Sequence, residues 1–141
     1  MENWLVVLLP YAGVSTWETD NVFVCPAGHK EYKAVTFNPT YGYNGYLRNS
    51  SEKSESQMRL ANIRSPARTC LIMDGKNAWG GANAYWHWHV AGDSASFPSP
   101  RDFVHQGKAN VVFLDGHVET RASAKVPTNN LDVFWNPQGA P

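Results

Sequence analysis

The stretch N-V-V-F-L-D-G-H-V-E-T-R, residues 110 to 121, limits the possible folds of this chain more than any other segment. Two runs of strand-forming residues flank Asp115-Gly116, and an Asp-Gly pair suits the left-handed angles of a two-residue type I′ turn. A β-hairpin is predicted there. An isolated hairpin is marginal in water, so other strands must pair with it. T-C-L-I-M-D-G at 69 to 75 has the same form, an apolar run followed by the turn signal Asp74-Gly75, and is predicted as a further strand. N-V-F-V-C at 21 to 25 reads as a strand closed by Pro26, and Ala34 to Asn38 as another before Pro39. In T-Y-G-Y-N-G-Y, residues 40 to 46, Gly42 and Gly45 are expected to take positive φ while three Tyr pack on one surface.

Helical signal is slight. Trp4, Leu5, Leu8, Leu9 and Tyr11 recur at helical spacing, with Asn3 as N-cap and Pro10 limiting the length, so a short helix docked on the sheet is predicted. Arg48 to Gln57 is nearly devoid of apolar residues and reads as a mobile loop. Lys76 to Asp102 is a variable insert rich in Gly, Ala, Trp, His and Pro. Val126 to Pro141 reads as a loop-like tail anchored by Leu131, Val133, Phe134 and Trp135. With 141 residues and 43% apolar content, the chain 1 to 141 fits one domain of α+β class, mostly β, with long loops.

Charge excludes one class of partner. Twelve basic and twelve acidic residues cancel, so no global field draws the chain to nucleic acid or an anionic membrane. No run approaches the roughly 20 apolar residues that span a bilayer. Cys25 and Cys70 are too few for a disulfide scaffold and lack C-x-x-C spacing; a bridge and two buried thiols are both open.

His105, Asp115 and Gly116 attract a catalytic reading, yet no nucleophile stands at a fixed spacing, and neither G-x-S-x-G nor H-E-x-x-H occurs. A His just before a strand can donate to a backbone carbonyl or to the Asp of the following turn. The structural reading is preferred: the His105 imidazole and the Asp115 carboxylate brace the bend, and catalytic residues are none. His87 and His89 would share one face of a strand, and with His117 they form a candidate Zn²⁺ set. A solvated aromatic-rich surface is the favoured alternative to that set. Trp79, Trp86 and Trp88 could stack on sugar rings or an apolar partner. Calcium would need more carboxylates than Asp74, Asp93 and Asp102 offer. No cofactor is therefore expected, with Zn and Ca as the alternatives.

His105, nine residues, then Asp115-Gly116 resembles the signature of the prepilin-type processing-associated family, whose members are type II secretion pseudopilin-like. Other islands agree in order: W-L-V-V-L-L-P-Y at 4 to 11, V-F-V-C-P at 22 to 26, Y-G-Y-N-G-Y at 41 to 46, and I-R-S-P-A-R-T-C-L-I-M-D-G at 63 to 75. The resemblance implies a pilin-like antiparallel sheet, here without the N-terminal pilin helix that anchors full-length members in the inner membrane. It also implies a Cys in that helical region as a natural partner of Cys25. The function it implies is that of a non-catalytic structural subunit of a type II secretion or type IV pilus-like assembly, in the cell envelope, periplasmic or extracellular. Its partners would be other pilin-like subunits or secretion machinery. The alternative is a surface module that binds polysaccharide or protein through the Trp/His-rich insert at 76 to 102.

Overall fold

The computed structural model describes residues 9–13, 22, 24–29, 40–47, 63–75, 89–90, 101–129 and 131–138. Among them are strands β1 (Tyr41–Asn44), β2 (Cys70–Asp74), β3 (His89–Val90), β4 (Lys108–Phe113) and β5 (Val118–Ala122). They form one sheet in the order β3-β1-β2-β4-β5. The four longer strands pair antiparallel, and β3 adds a short parallel edge to β1. Helical structure in the described residues is one turn of α-helix, α1 (Pro26–His29), and 3-10 turns at Leu9–Ala12, Gly45–Leu47, Pro66–Arg68 and Ser123–Lys125. The described chain is thus mostly β with short helical turns. Trp4 to Leu8, Ala34 to Pro39, the loop at 48 to 57 and most of the insert lie outside the described residues.

The predicted hairpin forms, but its turn differs from the expected one. The Phe113 N–H donates to the His117 carbonyl and the Gly116 N–H to the Phe113 carbonyl, each at 2.9 Å, which makes Leu114 to Gly116 a three-residue loop. Only Gly116 in it has a positive φ, 91°. A left-handed residue ending a three-residue loop keeps the strand twist without asking Asp115 for that conformation. The type I′ geometry occurs instead at Gln106-Gly107, with φ of 55° and 79°. There His105 and Lys108 exchange N–H···O=C bonds of 3.1 and 3.2 Å across the turn that opens β4.

Other glycine expectations also change. Gly42 and Gly45 do not have positive φ; Gly42 is a buried strand residue opposite Met73. Gly75 is no left-handed turn residue either, since it gives its N–H to the Thr40 carbonyl at 2.9 Å and bridges to Arg101. Pro26 opens α1 rather than closing a strand, because its fixed φ suits the first helical position. Leu9–Ala12 is a 3-10 turn, with Tyr11 87% exposed.

The core lies on one face of the sheet. Alternation in β4 buries Ala109, Val111 and Phe113, and cross-strand register places Met73 beside Val111 and Gly42 beside Met73. The tail covers this face. Val133, Phe134 and Trp135 are buried, and Phe134 packs edge-on against both Phe113 and Trp135. The Cys70 N–H donates to the Phe134 carbonyl at 2.8 Å, and the Thr69 hydroxyl to the Val133 carbonyl at 3.0 Å. Leu131 does not anchor the tail: it is 69% exposed. Both cysteines are thiols, with Cys70 opposite Phe113 in the core, where burial pushes its thiol up.

Gly107→Ala is expected to destabilise the protein by about 1–2 kcal/mol. A Cβ there meets nothing within 4 Å, so the cost is wholly conformational. Urea unfolding checks it, and an unchanged midpoint would contradict the left-handed turn.

Candidate functional site

The opposite face of the sheet carries the chemistry, and a strand irregularity puts it there. Cys70 and Asp74 are an even number of residues apart, which in a regular strand would send both side chains to one face. The register shifts between Cys70 and Ile72. The extra residue turns Ile72 and Asp74 to the side away from the core, where Asp74 lies beside Tyr41 of β1. Asp74 remains fully buried there.

Its carboxylate is sparsely served. Oδ2 accepts the Asn110 N–H at 2.6 Å and lies 3.3 Å from His105 Nε2. Oδ1 is buried and has no hydrogen-bond partner among the described residues. Burial raises the Asp74 carboxyl above the usual carboxylate range, against the smaller opposing pulls of the Asn110 N–H and His105.

The tight turn at Gln106-Gly107 delivers His105. As the hydrogen-bonded partner of Lys108, His105 shares a sheet face with Lys108 and hence with Asn110 two residues on. Cys25 arrives from the segment before α1. Its N–H donates to the Thr40 hydroxyl, and its Sγ lies 3.4 Å from His105 Nε2. Desolvation, then the nearby Cys25 and Asp74, pushes the Tyr41 phenol up to about 12.

Cys25, Asp74 and His105 therefore offer a thiol, a carboxylate and an imidazole whose ligand atoms all lie within 4.8 Å of one another. A nucleophile relay uses the two imidazole nitrogens separately, one toward the thiol and one toward the acid. Here both neighbours approach the same nitrogen. Such convergence resembles donors grouped around a common point.

Asp115 is not the partner of His105. The two residues flank opposite ends of the six-residue β4, a separation of roughly 20 Å at strand spacing. Asp115 pairs instead with His117, whose Nδ1 is 2.5 Å from Asp115 Oδ1 and whose Nε2 is 3.3 Å from Glu119 Oε1. Arg121 Nε completes the row at 2.7 Å from Glu119 Oε2. The His117 ring stacks on Phe113 with centroids 4.3 Å apart.

This exposed row predicts a bounded pH response. The hydrogen bond to Asp115 is the main cause raising His117 above 6.5, so its contribution is complete below 6.5 and fades as pH rises through the higher folded value. The same bond lowers Asp115 below 3.8, so that contribution holds above 3.8 and fades as pH falls through the lower folded value. An NMR titration of the His117 ring should give a midpoint above 6.5 that moves down in Asp115→Asn. An unmoved midpoint would contradict the pairing.

Of the histidines read as a zinc set, His87 lies outside the described residues, as do Trp79, Trp86 and Trp88. His89 opens β3 at one sheet edge, while His117 leads into β5 at the other. Four strand spacings of about 4.8 Å separate those edges, too far for one ion. Sequence reasoning singled out His105 but missed Cys25 and Asp74 as its neighbours. Comparison with protein-family models, with curated proteins and with solved structures finds no match for this chain.

Proposed function

We propose that this chain is the head of a pilin-like or pseudopilin-like subunit of a cell-envelope assembly, with a structural and non-catalytic role. One observation carries the reading. On the face opposite the core, cross-strand register aligns Tyr43, Ile72, Val112 and Val118 in one apolar row across four strands. Tyr43, Ile72 and Val112 are partly exposed and Val118 is 62% exposed. A pilin-type helix laid across an antiparallel sheet needs such a row, and the tail already occupies the other face. The order and spacing of the sequence islands that include His105, Asp115 and Gly116 support the same reading as a resemblance alone, since His105 and Asp115 do not pair. Its partners are other pilin-like subunits or secretion machinery.

The gene itself supplies the test. A short leader and an apolar helix encoded in frame directly upstream of Glu2, with a full product that is processed and recovered in the envelope fraction, are the expected results. An independent start at this Met with a cytoplasmic product would overturn the proposal. A carbohydrate-binding surface built on Trp79, Trp86 and Trp88 would show instead as tryptophan fluorescence changes on glycan titration.

A further inference from the structure

We propose that Cys25, Asp74 and His105 form a zinc site that clips the segment around Cys25 to the sheet. The proposal is independent of any pilin-like role and rests on three observations.

The first is distance. Zinc binds imidazole nitrogen and carboxylate oxygen at about 2.0–2.1 Å and thiolate sulfur at about 2.3 Å, usually in a tetrahedron. Those lengths place nitrogen and oxygen ligands about 3.3 Å apart, and nitrogen and sulfur about 3.5 Å apart. The observed separations from His105 Nε2 are 3.3 Å to Asp74 Oδ2 and 3.4 Å to Cys25 Sγ. Both separations match ligands of one ion, and the third pair, Cys25 Sγ and the Asp74 carboxylate, lies within 4.8 Å.

The second is hydrogen-bond arithmetic. Nε2 also has the Asn110 side-chain nitrogen at 3.1 Å, so a thiol, a carboxylate and an amide crowd one ring nitrogen. That nitrogen holds either one proton or one lone pair. If protonated, it suits the Asp74 carboxylate and opposes the Asn110 donor; if unprotonated, it suits a donor and faces the carboxylate lone pairs. Turning the Asn110 amide removes one conflict and leaves the thiol and carboxylate competing. A cation among them takes the Nε2 lone pair, the thiolate and the carboxylate together.

The third is the buried charge. Asp74 is fully buried, Cys25 is 2% exposed, and one carboxylate oxygen has no described partner. Among the described residues, Asp74 makes its ion pair with His105. A buried carboxylate so poorly compensated is costly unless a proton neutralises it or a cation joins it. The Asn110 N–H on Oδ2 then orients the ligand from outside the coordination sphere. Metal binding releases the Cys25 thiol proton to solvent, and the fourth position is left to water.

The site joins residues 25, 74 and 105, so its strength should appear as stability as well as metal content. The test is to purify the chain under reducing conditions, add zinc, dialyse and measure metal by elemental analysis. Cobalt substitution reports a thiolate ligand through its charge-transfer band. About one equivalent of zinc is expected, with a Tm that falls on chelation. Cys25→Ser and His105→Gln should each remove the retained metal, and Cys25→Ser should abolish the cobalt band while the far-ultraviolet circular dichroism stays native. Failure of the wild-type chain to retain zinc, or equal retention by wild type and both variants, would overturn the site. Neither result bears on the upstream gene sequence or on envelope recovery.

Discussion

Replacing Trp135 with alanine is expected to cost about 3–5 kcal/mol, the range for truncating a large buried aromatic. The indole is fully buried, packs edge-on against Phe134 with centroids 4.6 Å apart, and donates its N–H to the Pro127 carbonyl at 2.7 Å. Truncation removes apolar area, leaves a cavity beside Phe134, and strips the Pro127 carbonyl of a donor. Leu131→Ala, four residues earlier, is the internal contrast, because a side chain 69% exposed should change stability by less than about 0.5 kcal/mol. Urea unfolding followed by far-ultraviolet circular dichroism checks both. Comparable small effects at the two positions would mean that the tail is not part of the core.

The hairpin of β4 and β5 was legible because alternation and turn residues are local signals. Its turn was misread by one residue: Leu114 belongs to the loop, and Asp115 need not be left-handed. The tail was harder to read, since it has no period. Side-chain turns order it: Asn129 Oδ1 accepts the Leu131 N–H, Asp132 Oδ1 the Phe134 N–H, and Asn136 Oδ1 the Gln138 N–H. That series of Asn and Asp is a signal the sequence does carry. The candidate site was the least legible part. Its three ligands come from distant segments, and Asp74 faces His105 because of an irregularity that no spacing rule announces. His105 stood out, but its partner was sought along the chain at Asp115 instead of across the sheet. Gly107, two residues after His105, was the available hint that a tight turn precedes β4.

Asn44→Ala is expected to cost at least about 3 kcal/mol, because it leaves three polar groups unpaired and each costs about 1–3 kcal/mol. Asn44 is fully buried at the end of β1, and its side-chain amide donates to the Cys70 carbonyl at 2.9 Å and the Trp135 carbonyl at 2.7 Å. Its Oδ1 accepts the Tyr46 N–H at 3.0 Å. One side chain thus joins β1, β2 and the tail, and alanine abandons two carbonyls and an N–H together. Asn44→Asp separates hydrogen bonding from volume. An ionised carboxylate there would face two carbonyl oxygens away from water, so the introduced group must have a folded pKa above its unfolded value. The folded state then holds the proton more tightly. The variant should be most stable below the unfolded carboxylate pKa of about 3.9 and lose stability as pH rises through the higher folded value. Stability measured against pH, with the wild-type profile subtracted, should fall with pH across that window. A difference profile that is flat or rises with pH would show that the Asn44 amide is not the donor holding the tail to the sheet.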